Sequence, residues 1–149
     1  MKIITTNKKA FYNYTIDEKI EAGIVLTGDE IKSLRQGNVS LAESFATIHK
    51  GEVNLINAHI APYSHAYIKE DKTRKTRKLL LHKKEINKLI GQISRKGYTL
   101  IPLRMYFAKK GLVKVELGLG KHKKAVSKKR ELKEKAIKRE AEREVKYKI

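Results

Sequence analysis

The chain has 149 residues, 40% of them hydrophobic, and 35 Lys and Arg against 16 Asp and Glu give it a formal net charge of +19. That length allows one domain and an appendage, and a charge so far beyond the needs of solubility points to RNA, DNA or an anionic membrane as partner. With no cysteine, disulfides, thiolate metal sites and cysteine nucleophiles are excluded, and no segment approaches the ~20 apolar residues of a membrane span.

The first nine residues lack the apolar core of a signal peptide, so a soluble, cytoplasmic chain is expected. Residues 11–26 are rich in aromatic and β-branched side chains and read as extended. Thr27 and Glu30 have capping-box spacing and open a short helix. Ile31 and Leu34 face the core, and Gly37-Asn38 ends the helix. Two strands follow, at 44–50 and 52–60, turning at Lys50-Gly51 and closed by Pro62.

Next comes Lys72-Thr73-Arg74-Lys75-Thr76-Arg77-Lys78, running straight into Leu79-Leu80-Leu81. Leucines need burial, which would hold the cations at fixed places on a folded surface, the footprint expected for phosphate binding. A solvated basic loop fits the run equally well. A second helix is predicted over 82–96, where Ile86, Leu89, Ile90 and Ile93 form a helical stripe that Gly97 stops. Residues 99–109 alternate as a strand, with Ile101, Leu103, Met105 and Phe107 on one face. After a turn at Lys110-Gly111, Val113, Val115, Leu117 and Leu119 alternate with Lys114, Glu116, Gly118 and Gly120, the pattern of an antiparallel strand buried on one side.

The inventory is mainly β with two helices. A small closed antiparallel, OB-like barrel with two flanking helices would remove exposed edges and offer a face for oligonucleotides. The pattern also admits an open α+β sheet. The body is read as 1–120 and the remainder, 121–149, as a basic C-terminal tail with 13 Lys and Arg and 5 Glu, a net charge of +8. Four Glu-before-Lys pairs at i, i+4 support a helix there. Its apolar stripe is thin, so the tail is expected to be disordered until an anionic partner makes it helical.

Catalytic and metal chemistry find no foothold. No pair among His49, His59, His65, His82 and His122 has metal-helix spacing, and there is no phosphate-cradling glycine loop and no nucleophile elbow. No enzyme activity, cofactor or metal is expected, and a monomer is the simplest state. The candidates that remain suit RNA: Asn7, Lys8, Lys9, Lys32 and Arg35 for the backbone, and Tyr12, Tyr14 and Tyr63 for stacking on unpaired bases. Strand tyrosines are more often ordinary packing. Glu21 stands in an apolar context, Ile20-Glu21-Ala22-Gly23-Ile24, where a carboxylate can accept from a base edge or a 2′-hydroxyl, or take a lysine within the protein.

These residues also resemble the SmpB family, small basic proteins that partner tmRNA in bacterial trans-translation. The likeness is carried in order by Asn7-Lys8-Lys9-Ala10, Glu21-Ala22-Gly23-Ile24, Gly28-Asp29-Glu30-Ile31-Lys32-Ser33-Leu34-Arg35, Ile60-Ala61-Pro62-Tyr63, Arg77-Lys78-Leu79-Leu80-Leu81, Gly97-Tyr98-Thr99-Leu100-Ile101-Pro102-Leu103 and Tyr106. The resemblance implies an OB-like body that grips the tRNA-like domain of tmRNA. Asn7, Glu21 and Leu80 would be RNA contacts, and Lys8, Lys9, Lys75, Arg77 and Lys78 would meet phosphates. It also implies a tail, starting with Lys121, Lys123, Lys124, Lys128, Lys129 and Arg130, that enters the empty mRNA channel of the small ribosomal subunit near the decoding centre of a stalled ribosome. Ser127 stands where the family's tail has aspartate, and one lysine is inserted nearby. On charge alone, a generic RNA- or ribosome-binding basic protein is the alternative.

Overall fold

The computed structural model describes residues 2–62 and 73–123. Among them are nine strands and three α-helices: β1 (Lys2–Thr6), α1 (Lys8–Asn13), β2 (Tyr14–Ile24), α2 (Gly28–Arg35), β3 (Val39–Ser40), β4 (Phe45–His49), β5 (Glu52–Ile56), β6 (His59–Ile60), β7 (Arg77–Leu80), α3 (Lys83–Lys96), β8 (Thr99–Phe107) and β9 (Val113–His122). The strands β8, β4, β5, β7, β2 and β9 pair in that order, all antiparallel, and β8 pairs β9 to close the ring. The barrel is therefore closed, not an open sheet. β1 lies along the free part of the β8 edge, and β3 and β6 form a separate ribbon.

Local signals placed most of these elements. Thr27 and Glu30 form the capping box, with the Thr27 N–H donating to Glu30 Oε1 at 2.9 Å and the Glu30 N–H donating to Thr27 Oγ1 at 3.3 Å. Gly97 ends α3 with φ +69, a left-handed C-cap. Lys50 and Gly51 both have positive φ (50 and 76), as a two-residue hairpin twisted like its strands requires.

Three expectations need correction. Two helices become three, because residues 8–13 form α1, although Phe11 and Tyr12 favour extended backbone. The predicted strand 52–60 breaks at Asn57, whose φ of +66 turns the chain out of the barrel, so β6 joins β3 instead. β8 does not keep Ile101, Leu103, Met105 and Phe107 on one face, and it is buried on both. Its pairing slips between Pro102 and Arg104, a bulge built around the missing proline donor. Leu100 and Met105 therefore point into the main core, while Ile101 and Leu103 point outward.

The main core fills the barrel with Val53, Leu55, Leu79, Leu100, Met105, Val115, Leu117 and Leu119, all at most 2% exposed. Outside the wall, α1 covers a second cluster of Ala10, Ile101 and Leu103 with Phe11, Tyr14 and Ile16. Gly118 makes that cluster possible. A β-carbon there would stand 2.8 Å from Leu103 Cδ1 and 3.1 Å from Ile16 Cγ2.

Candidate nucleic-acid interface

Strand register assembles the site. Residues directly opposite in an antiparallel pair share a face. Ile3 faces Tyr106, Tyr106 faces Lys114, Lys114 faces Gly23, and Gly23 faces Leu80. One row thus crosses five strands on the outside of the barrel. Ile3 and Leu80 at its two ends are 49% and 51% exposed. The neighbouring row is Arg104, Glu116 and Glu21. Apolar, cationic and carboxylate groups thus lie on one surface, a mixture suited to bases and phosphates together.

Leu80 overturns the expectation that all three leucines are buried. In β7, Leu79 is buried and Leu80 points to solvent beside Lys78, because strand residues alternate. Leu80 also lies over Gly23, where a β-carbon would meet Leu80 Cβ at 3.3 Å.

Glu21 is exposed. Like charges facing each other across a strand pair are destabilising, and Glu21 faces Glu116. Glu116 is neutralised by Arg104 at 3.4 Å and Lys19 at 3.9 Å, both of which also approach the Phe11 ring. Glu21 has no cation within ion-pair distance among the described residues, so the lysine partner considered from the sequence is not there. Its Oε2 accepts from the Tyr106 hydroxyl, which reaches it across β9. Burial, and then the Glu21 carboxylate, push the Tyr106 phenol above its usual range, so it stays a donor.

The cations divide. Lys8, Lys9 and Lys78 are exposed; Lys9 and Lys78 pair with Glu43 at 3.7 Å and Glu52 at 3.6 Å, loose surface contacts that a phosphate can replace. Lys32 and Arg35 are exposed in the last turn of α2, which packs on β6 and is not part of the row. Lys75 lies 3.4 Å from Glu30. Tyr12 is exposed, whereas Tyr14 is half-buried in the outer cluster. Tyr63, Lys72 and His65 lie outside the described residues.

Arg77 and Asn7 are not placed as expected. Arg77, grouped with the phosphate-binding cations, is 2% exposed. Its Nε donates to Glu30 Oε2 at 2.5 Å, and its other nitrogens donate to the carbonyls of Ala58, Lys75 and Thr73 at 2.8, 3.2 and 3.0 Å. It clamps α2 to the start of β7 and leads the basic segment outward. Burial would raise the Glu30 carboxyl, but the Thr27 amide and the Arg77 guanidinium outweigh it and hold it below the usual carboxylate range.

Asn7 is 5% exposed. Its Nδ2 donates to Leu41 O at 3.1 Å and Pro102 O at 3.0 Å, and its Oδ1 accepts from the Ala10 amide at 3.3 Å, capping α1. Both amide hydrogens are thus used inside the protein. Asn7→Ala removes the cap and takes one donor from each of two buried carbonyls, of which Leu41 O keeps its bonds from Ser44, so it should lower unfolding free energy by about 1–3 kcal/mol. Urea denaturation with an unchanged m-value would report this. A stability equal to wild type would return Asn7 to the list of surface contacts.

The root of the tail also differs from expectation. β9 continues to His122, so Lys121 pairs with Thr15 and the body does not stop at Gly120. The Lys121 ammonium lies 5.0 Å from the Tyr98 ring centroid, and the Tyr98 hydroxyl donates to Asp17, the extra residue of a bulge in β2. His122 packs edge-on against Tyr14 at 5.0 Å, and the Lys123 amide donates to Asn13 O at 2.9 Å. The tail therefore leaves the body beside the end of α1. Lys124, Lys128, Lys129 and Arg130 lie outside the described residues.

Sequence reading missed Lys114, Arg104 and Lys19 on this surface. Alternation in β9 marks Lys114 as outward-facing, but nothing local says that Tyr106 and Leu80 share its row. Among the described residues no cluster of His, Asp or Glu has the makings of a metal site, and no helix is long and apolar enough to cross a membrane.

A family model described as SmpB protein matches residues 4–147. The chain belongs to the SmpB family. An SsrA-binding protein of Rickettsia bellii is 54% identical over 147 residues, covering 99% of this chain and 97% of its own. An SsrA-binding protein of a Sulfurihydrogenibium species is 55% identical over 149 residues, with the same coverage. Among solved structures, one described as "tmRNA-SmpB: a journey to the center of the bacterial ribosome" matches with a TM-score of 0.68 and 47% identity, covering 91% of this chain and 94% of its own. The span matched by the family model includes the outer row from Tyr106 to Leu80, the neighbouring Arg104, Glu116 and Glu21, and most of the tail.

Proposed function

We propose that this SmpB-family protein binds the tRNA-like domain of tmRNA and delivers it to stalled ribosomes for trans-translation, as a cytoplasmic monomer without catalytic chemistry of its own. The observation that carries this reading is the outer surface of the barrel, on which Leu80 and Lys114 of the outer row share one face with Glu21 and Lys78. Lysines neutralise phosphates, the leucine offers a flat apolar contact to an unstacked base, and the carboxylate accepts from a base edge or a 2′-hydroxyl. Names of full-length relatives at 54% identity, and the tmRNA-SmpB structure, support the choice of RNA. The basic tail is assigned to the small ribosomal subunit, in the empty mRNA channel near the decoding centre, and Lys121 and Lys123 set its point of departure.

A competition titration at near-physiological salt tests the reading. Labelled tRNA-like domain of tmRNA is challenged with elongator tRNA and with duplex DNA. The expected result is a preference of at least about 1,000-fold for the tmRNA domain, the lower end of the range separating specific from non-specific binding. Equal competition by all three would favour a generic RNA- or ribosome-binding protein.

A further inference from the structure

Glu21 is a carboxylate on a strongly basic surface with no cation within ion-pair distance among the described residues. It repels phosphate, so its use in RNA binding must be to accept a hydrogen bond from a nucleobase amino or imino group, or from a 2′-hydroxyl. A glutamate side chain has three rotatable bonds and loses affinity to disorder unless something holds it. Lysine would hold it, but would also neutralise it and compete for its oxygens. A neutral donor orients it and leaves the charge intact.

We propose that Tyr106 is that positioning residue: its hydroxyl crosses β9 to take Glu21 Oε2, leaving Oε1 directed at the RNA. The ring is well placed to act as a strut. Tyr106 is 6% exposed, faces Lys114 on β9 and Ile3 on β1, and so cannot swing away. The phenol donates to Oε2, and no other hydrogen bond is made to the Glu21 carboxylate among the described residues. Arg104 and Lys19 complete the arrangement by occupying Glu116, the carboxylate opposite, so that Glu21 does not share their charge. The inference rests on the proposed RNA-binding reading and adds to it the residue that orients the acceptor.

The test is a double-mutant cycle on full-length protein, read as affinity for the labelled tRNA-like domain of tmRNA. Tyr106→Phe keeps the ring and loses only the donor. It should weaken binding about fivefold, the scale of one net hydrogen bond, yet change binding less than about twofold when Glu21 is already alanine. Equal losses in both backgrounds would mean that the hydroxyl acts on the fold in general and would overturn the positioning role. Glu21→Asp provides a second arm that leaves Tyr106 untouched. It keeps the charge but is one methylene too short to meet the phenol and the RNA together, so it should bind like Glu21→Ala; wild-type affinity would overturn the proposal. If Glu21→Ala itself binds as well as wild type, Glu21 is no contact, and the failure lies in the site reading as well.

Discussion

Arg77→Ala should lower the unfolding free energy by about 3–5 kcal/mol, the usual result of breaking a buried ion pair from one side. The carbonyls of Ala58, Thr73 and Lys75 lose the guanidinium, Thr73 O keeping the Ile60 amide, and Glu30 is left largely enclosed with Lys75 as its remaining cation and the Thr27 amide as its remaining donor. For a chain of this size that corresponds to a fall in Tm of about 10 °C or more. The effect should depend on pH. Glu30 titrates below the usual carboxylate range in the folded protein, so its contribution is complete above the unfolded carboxylate value and is lost as pH falls through the lowered folded one. The gap between wild type and variant should therefore narrow on acidification. RNA binding separates this role from a phosphate contact. At a temperature where both proteins are folded, Arg77→Ala should leave the slope of log affinity against log salt unchanged, whereas Lys78→Ala should flatten it by about 0.9. A flattened slope for Arg77→Ala would make Arg77 a phosphate ligand.

Removing residues 124–149 should leave affinity for the tRNA-like domain within about fivefold of wild type, because charges beyond a Debye length of about 8 Å are largely screened at physiological salt. Peptide tagging on stalled ribosomes should fall to background. The outer row, its neighbouring strands and the tail root all remain, while Lys124, Lys128, Lys129 and Arg130 are gone. The point of cutting matters. Truncation after Gly120 also removes Lys121, His122 and Lys123, with two β2 pairings, the Tyr98 and Tyr14 contacts and the bond to Asn13. It should melt at lower temperature than truncation after Lys123. If the longer truncated form loses RNA affinity in full, the tail belongs to the tmRNA interface; if it still tags, the tail has no ribosomal role.

Features that depend on neighbours three or four residues apart were readable from the chain alone. The Thr27–Glu30 capping box, the α3 stripe ended by Gly97, the Lys50-Gly51 hairpin and the alternation of β9 are of this kind, since their interactions close within a turn or along one strand. The ordered motifs that mark the SmpB family were equally visible. The reading failed where a residue's partners are distant in sequence. Arg77 looks like its basic neighbours until β7 pairs with β5 and α2 brings Glu30 to it, 47 positions away. Asn7 spends its amide on Leu41 and Pro102, at separations of 34 and 95. The bulge at Pro102–Arg104 reverses which face β8 presents, and a one-residue slip of that kind leaves no mark on composition or charge. Leu80 lies outside, and Glu21, Tyr106 and Lys114 lie together, because barrel closure sets their register: alternation along a strand says that a side chain points outward, but only pairing between strands says what stands beside it.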